Sequence, residues 1–151
     1  MRKLSVVGFL AMSVLIGGCS RVEEKASIVD LRIDYRVEPI NVGEKPVFSW
    51  KMNCKRKGAA QQGRRIVVRD LQRDGRVMWD SGLVKSAQAS AIEYGGEKLQ
   101  PASAYEWKVF VTDEKGNELA PASATFKTGF FGEDNWDGSE WISVEAGRKM
   151  K

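Results

Sequence analysis

Two patterns of apolar residues divide this chain. Residues 4–16 form one mostly apolar run, which follows the basic pair Arg2-Lys3 and precedes Gly17-Gly18. From residue 28 onwards apolar and polar residues tend to alternate, most regularly over residues 105–111. A period of two is typical of a β-strand with one face buried and the other in water. The chain therefore begins with a distinct apolar segment and continues as a predicted β-sheet protein.

About seven segments have the pattern of a short strand, and turn signals separate them at intervals of about 8–12 residues. The clearest turn is Asp74-Gly75, a dipeptide that favours a tight hairpin. No segment keeps a helical period. These features predict an all-β fold, an antiparallel sandwich of two sheets over about 100 residues. The predicted strands are residues 28–37, 47–52, 66–71, 77–80, 91–94, 105–111 and 124–128.

The first predicted strand has the longest alternation in the chain. Its apolar positions are separated by charged residues, which indicates one face towards the core and one towards water. The side chains expected to face the core are Val29, Leu31, Ile33, Tyr35 and Val37.

Two tryptophans, Trp50 and Trp107, lie on the predicted inward faces of separate strands. Each can bury about 150–250 Å², so we expect the two rings to meet in the core. Residues 55–63 are basic and rich in glycine and glutamine, which predicts a loop. The basic residues around it are expected to form one solvated cluster, with contact to an anionic surface as the alternative. They are Lys51, Lys55, Arg56, Lys57, Arg64 and Arg65.

The front of the chain has the layout of an export signal. A basic start, an apolar run and small residues before a boundary are typical of a secretory signal, and the run is shorter than the about 20 residues of a membrane-spanning helix. Cys19 follows the two glycines directly, which resembles the lipobox of bacterial lipoproteins. The resemblance implies cleavage after residue 18 and acyl chains on Cys19 that anchor the protein in a membrane. The alternative is an ordinary cleaved signal with a chance cysteine.

These features give the expected organisation of the first part of the chain. Residues 1–18 would be the lipoprotein signal peptide and residues 19–27 a polar tether. The protein is expected in the bacterial cell envelope, lipid-anchored and either periplasmic or at the cell surface.

Composition excludes several classes of chemistry. The chain contains no histidine, which removes histidine-activated nucleophiles and histidine-ligated zinc sites. Once Cys19 is lipidated, Cys54 has no partner within the chain, so no disulfide framework is expected and the thiol is interpreted as a spectator. The formal net charge of +4 falls by two when Arg2 and Lys3 are removed, which gives no support to a nucleic-acid partner. No cofactor and no metal are expected.

A motif before and within the sixth predicted strand points to a fold family. It reads Leu99-x-Pro101-x-Ser103-x-Tyr105-x-Trp107-x-Val109. This resembles the signature of fibronectin type III domains, which are immunoglobulin-like sandwiches. The resemblance implies that the Tyr105 hydroxyl bonds to nearby backbone and that Trp50 is the tryptophan of the second strand.

A series of short motifs runs through nearly all of the chain after the tether. They include Leu31-Arg32-x-x-Tyr35, Pro46-x-Phe48-Ser49-Trp50-Lys51, Trp79-Asp80-Ser81-Gly82, Ile92-x-Tyr94-x-Gly96 and Phe126-x-Thr128-Gly129. Their order and spacing resemble the N-terminal β-sandwich of bacterial α-L-rhamnosidases of glycoside hydrolase family 78. In that family the catalytic carboxylates lie in a separate helical barrel, so the resemblance assigns no catalytic residue here.

The resemblance implies a sandwich domain at residues 28–129, followed at 130–151 by a linker and the start of another domain. The chain would be a fragment, the non-catalytic N-terminal module of an exported α-L-rhamnosidase whose downstream domains are its partners, with a family member cut short as the alternative. Trp136 and Trp141 are interpreted as hydrophobic anchors against the next domain, with sugar stacking as the alternative. Acidic residues near them lack the spacing of an EF-hand calcium loop. A second hypothesis is a stand-alone cell-surface adhesion or glycan-binding module.

Overall fold

The computed structural model describes residues 26–132, which form a sandwich of eight strands without a helix. This confirms the predicted all-β, antiparallel, immunoglobulin-like class. The additional strand beyond the seven predicted is only two residues long, Val84–Lys85. In chain order the strands are β1 Ser27–Ile33, β2 Val47–Asn53, β3 Gln61–Asp70, β4 Arg76–Asp80, β5 Val84–Lys85, β6 Ile92–Glu93, β7 Ala104–Asp113 and β8 Ala122–Lys127.

Two sheets make up the sandwich. The first has the strand order β1-β2-β6, and the second has the order β4-β3-β7-β8 with β5 paired to β3. All of these strand pairs are antiparallel. The longest pairing joins β3 and β7, from Gln61 opposite Asp113 to Asp70 opposite Tyr105. These two ten-residue strands form the centre of the second sheet.

Strand β7 follows the alternation in the sequence at every position. Tyr105, Trp107, Val109 and Val111 are each at most 1% exposed, whereas the residues between them are half-buried. Large β-branched and aromatic side chains fit this arrangement because they pack well on a pleated surface with one buried face. The inward face predicted for this strand is confirmed.

Aromatic rings fill the space between the sheets. Phe48 on β2 is fully buried, and its ring centroid lies 4.9 Å from that of Trp107 and 6.4 Å from that of Phe126. The Trp50 and Trp107 centroids are 6.4 Å apart, so the two tryptophans meet in the core as predicted. Aromatic pairs at such separations add about 0.5–1.5 kcal/mol each beyond the area they bury.

The indole of Trp50 brings a polar atom into this core. Its Nε1–H donates to Oε1 of Gln61 at 3.0 Å, and Gln61 Nε2 donates in turn to the carbonyl oxygens of Ser86 and Gln88. Because buried polar groups cost stability unless they are hydrogen-bonded, this chain of bonds makes the burial of Gln61 possible. It also ties the first sheet to the start of β3.

The predicted hairpin turn is confirmed by its backbone angles. Asp74 and Gly75 have φ values of 48° and 70°, and positive φ at both central residues is what a type I′ turn requires. The turn joins β3 to β4.

The predicted inward face of the first strand is wrong at Val29 and again beyond Ile33. A bulge between Val29 and Arg32 shifts the alternation, so that Ile28 and Ile33 are buried and Val29 is 37% exposed. The strand then ends, and Tyr35 and Val37 are 72% and 62% exposed.

Both ends of β3 also differ from the prediction. The predicted loop 55–63 is too long, because β3 already begins at Gln61 and pairs there with β7. At the other end Leu71 lies outside β3 and is 49% exposed.

The chain enters and leaves the sandwich at opposite ends. Ser27 pairs with Asn53 at one end, which we call the N-terminal pole, and β8 ends at Lys127 opposite Ala104 at the other, the C-terminal pole. Ten residues of β-strand at about 3.3 Å each separate the poles by about 30 Å. Within residues 26–132 no helix is long and apolar enough to cross a membrane.

We predict that Trp107→Ala lowers the free energy of unfolding by about 3–5 kcal/mol, because it empties the space between the sheets. Urea denaturation of the purified protein measures this change. Leu83→Ala is the matched control, since Leu83 is 67% exposed and its truncation should change stability by less than about 0.5 kcal/mol. Equal effects of the two variants would contradict the central position of Trp107.

Candidate functional site

The corner that precedes β7 fixes the C-terminal pole. Leu99 and Tyr105 are fully buried, and the Tyr105 hydroxyl accepts a hydrogen bond from the backbone N–H of Gln100 at 2.8 Å. This is the contact that the fibronectin resemblance implies. Thr128 closes the corner from the other side, since its Oγ1 donates to the Gln100 carbonyl and accepts from the Ser103 N–H. The corner therefore holds the strand from which the chain leaves the domain.

The remaining site residues proposed from the sequence fall into two groups. Pro101 is half-buried in the same corner, where its carbonyl accepts a hydrogen bond from the Ser103 hydroxyl at 2.9 Å. The lipidation site Cys19 and the tryptophans Trp136 and Trp141 lie outside the described residues. Their roles stay predictions.

The basic residues around the β2–β3 connection do not form the single cluster that the sequence suggests. Lys51 bonds Asp30 at 2.7 Å on the outer face of the first sheet. Arg65 pairs with Asp80 on the outer face of the second sheet, and its guanidinium lies 5.6 Å from the centroid of the Phe110 ring. Because Lys51 belongs to β2 of the first sheet and Arg65 to β3 of the second, these charges are divided between two surfaces of the sandwich.

An open cavity of about 730 Å³ lies at the N-terminal pole. Arg56, which pairs with Glu114 and lies 3.8 Å from Asp113, forms part of its wall, and the half-buried Cys54 thiol lines it as well. Within residues 26–132 no three His, Cys, Asp or Glu side chains are grouped to hold a metal ion. Within the cavity wall, Arg56 is therefore the basic residue with two carboxylates close to it.

Two carboxyl groups with shifted pKa values show how ion pairing acts on this surface. The Arg65 guanidinium bonded to Asp80 lowers the pKa of that carboxyl to about 2. Arg56 does the same to Glu114, whose pKa is also lowered to about 2. The general acid of a glycosidase needs a raised pKa, so both shifts run in the opposite direction. Near neutral pH both carboxylates are therefore charged partners of arginine.

The loop between β1 and β2 spans residues 34–46, and its first part, residues 34–37, is the surface feature that sequence reasoning assigned to a strand. The side chains of Tyr35, Val37 and Ile40 are 72%, 62% and 70% exposed. The signal for it was the cluster of Asp, Asn, Pro and Gly between residues 34 and 43, which indicates turns rather than a continued strand. The alternation of apolar residues masked that signal. This apolar loop at the C-terminal pole is the candidate interaction surface of the domain.

Comparison with known proteins gives a consistent result over most of the chain. The model of one protein family, described as Rha78A-like, N-terminal immunoglobulin domain, matches residues 28–132. An α-L-rhamnosidase of Formosa agariphila is 26% identical over an alignment of 144 residues that covers 89% of this chain and 15% of that protein. The motif resemblance described above is thereby confirmed.

Two solved structures of α-L-rhamnosidases contain a similar domain. The enzyme from Dictyoglumus thermophilum is 33% identical with a TM-score of 0.66, and the match covers 73% of this chain and 13% of that one. The enzyme from Streptomyces avermitilis, complexed with L-rhamnose, is 27% identical with a TM-score of 0.73, covering 80% of this chain and 12% of that one. This chain therefore spans only 12–15% of the length of these relatives.

We predict that Arg65→Gln raises the pKa of Asp80 from about 2 towards 3.8, because the guanidinium that stabilises the carboxylate is lost. Since the folded-state pKa is the depressed one, the pair stabilises the fold above pH 3.8 and loses its effect as the pH falls towards 2. NMR titration of the Asp80 carboxyl carbon measures the shift. Arg73→Gln removes the ion-pair partner of Asp70 instead and should leave the pKa of Asp80 unchanged.

Proposed function

Because this chain belongs to the family of Rha78A-like, N-terminal immunoglobulin domains, we propose that it is the non-catalytic accessory module of an exported, lipid-anchored α-L-rhamnosidase. The relatives that support this are α-L-rhamnosidases of which this domain covers 12–15%. Catalysis, on this proposal, belongs to the downstream domains of the same polypeptide. The substrates of the whole enzyme would be glycans that end in rhamnose.

The observation that carries a linking role is the position of the two poles. Ser27 and Lys127 lie at opposite ends of the sandwich, so an element attached before β1 and one attached after β8 are held about 30 Å apart. If the first and last strands instead began and ended at the same pole, the elements attached to them would lie side by side. The arrangement suits a rigid spacer in series between an anchor and a catalytic body.

The proposed anchor is the lipidated Cys19. Cys19 lies eight positions before the start of β1 at Ser27, which is a reach of at most about 29 Å when fully extended. The N-terminal pole would therefore stay close to the bilayer surface, and the spacer would direct the C-terminal pole away from it. Several acyl chains are needed for such an anchor to be stable, as lipoprotein processing provides.

We predict that Cys19→Ser abolishes lipid attachment, because the thiol that is lipidated is removed. Metabolic labelling with an alkyne fatty acid in a bacterial host, followed by detergent fractionation, measures lipid attachment and membrane binding. Wild type should be labelled and membrane-bound, and the variant unlabelled. Cys54→Ser is the matched control and should label like wild type. Labelling of the Cys19 variant would refute the proposed anchor.

The enzymatic context is tested by capture of the native protein. An antibody against residues 28–132 should retrieve hydrolysis of an aryl α-L-rhamnoside from detergent extracts of the source membranes, and a pre-immune antibody should not. Retrieval of the protein without that activity would contradict the accessory role. Binding of the same protein to glycan arrays would then favour the stand-alone glycan-binding module.

A further inference from the structure

Three arginines in the described part of the chain are half-buried, and one of them has no partner. Arg32 bonds Asp30 at 2.7 Å, and Arg56 is paired with Glu114. The side chain of Arg64 makes no hydrogen bond, although its Nε nitrogen is buried. Buried N–H groups in folded proteins are almost always bonded, so an exception needs a physical explanation.

The pairing of β3 turns Arg64 towards the inside of the sandwich. Arg64 lies opposite Val111 of β7 on one side and opposite Val84 of β5 on the other. Residues directly opposite each other on antiparallel strands share a face, and Val111, at 1% exposure, faces the core. Such neighbours lie about 5 Å apart, so the two valines flank the stem of Arg64 and keep water from its Nε nitrogen.

The outer end of the Arg64 guanidinium remains accessible. Nη1 and Nη2 have no partner either, but they are not buried as Nε is, so they reach the solvent. Burial lowers the pKa of this guanidinium, and no charge on a described residue raises it. Arginine nevertheless stays charged near neutral pH. Arg64 is therefore a partly desolvated cation with two nitrogens free to donate.

The carboxylates at the same end of β7 do not compensate this charge. Asp113 accepts hydrogen bonds from backbone N–H groups of its own turn and lies 3.8 Å from Arg56. Glu114 is paired with Arg56 as well. Residues 86–91, which follow β5, include no charged side chain. The acidic groups of this region are thus committed to Arg56 and leave Arg64 unpaired.

The surroundings of Arg64 are held in place by hydrogen bonds. The backbone of Arg64 is paired on both sides, and Gln61 lies near it on the inner face of β3. Gln61 accepts from the Trp50 indole and donates to the carbonyl oxygens of Ser86 and Gln88. A guanidinium with a buried stem in a fixed frame loses little conformational freedom when it binds a ligand. This favours binding over an exposed, freely rotating cation.

We propose that Arg64 is a binding site for an oxyanion, a carboxylate or phosphate group that accepts hydrogen bonds from the two outer nitrogens of its guanidinium. Both groups present two oxygens at the spacing of the guanidinium fork. A carboxylate would belong to an acidic sugar or an organic acid, and a phosphate to inorganic phosphate or a phosphate ester. The site is a property of the domain itself and does not depend on the proposed enzyme.

NMR spectra of the arginine Nε–H groups test the site in the full 151-residue chain in a nonionic detergent. Sodium acetate or sodium phosphate is added at pH 7 and constant ionic strength. The Arg64 resonance should shift and saturate with a Kd of about 1–10 mM, which is within the limit for a ligand of four or five non-hydrogen atoms. Tighter binding of acetate would identify the ligand as a carboxylate, and tighter binding of phosphate would identify it as a phosphate.

Two variants of Arg64 separate a binding site from a structural charge. Arg64→Lys keeps the charge but loses the fork, so binding should weaken by about fivefold or more. Arg64→Met should unfold at the same or a higher temperature than wild type without anions, because it removes an unpaired, partly buried charge. It should also abolish the rise in melting temperature that the bound anion gives the wild type.

Arg36→Lys is the matched control, because Arg36 is exposed, and it should bind the anion at Arg64 like wild type. A shift that grows without saturation, or equal shifts at Arg36 and Arg64, would show an adventitious ion only and overturn the proposal. A marked loss of stability in Arg64→Met without anions would also overturn it, since the charge would then be satisfied within the fold.

Discussion

The packing of aromatic rings between the two sheets determines the rest of this structure. The ring of Phe48 packs against those of Trp107 and Phe126. Trp50, which is on β2 like Phe48, also contacts Trp107. Because these rings fix the sheets face to face, they also fix the loops at both poles. The Trp50 bond to Gln61 reaches the N-terminal pole, while β7 carries the fold from Trp107 to the corner at the C-terminal pole.

How much of the fold could be predicted depended on whether local pattern and tertiary contacts agreed. In β7 and in the Asp74-Gly75 hairpin they agree, and the prediction is confirmed. In β1 they do not, since a bulge and a turn after Ile33 are set by pairing with β2 and by the bond between Asp34 and Val47, neither of which a period of two reveals. Strand β5 has two residues, too few to show any period.

The candidate site was only partly visible in the sequence for a related reason. The corner around Tyr105 belongs to a motif, so the resemblance supplied its hydroxyl contact in advance. Tyr35 and Val37 of the β1–β2 loop were assigned to the core, because exposed and buried apolar residues look alike in a sequence. The basic residues were read as one cluster, whereas Lys51 and Arg65 belong to strands of different sheets and lie on their outer faces. The sequence therefore indicated which side chains matter better than it indicated which of them lie on the same surface.

The central claim is that this domain is one end of a much longer enzyme that is held at a membrane. Its most direct test is the size of the native polypeptide, measured by immunoblot of source membranes with an antibody against residues 28–132. The account predicts a single membrane-bound band several times heavier than 151 residues allow, because the domain covers only 12–15% of its relatives. A band at or below the size of this chain would contradict it.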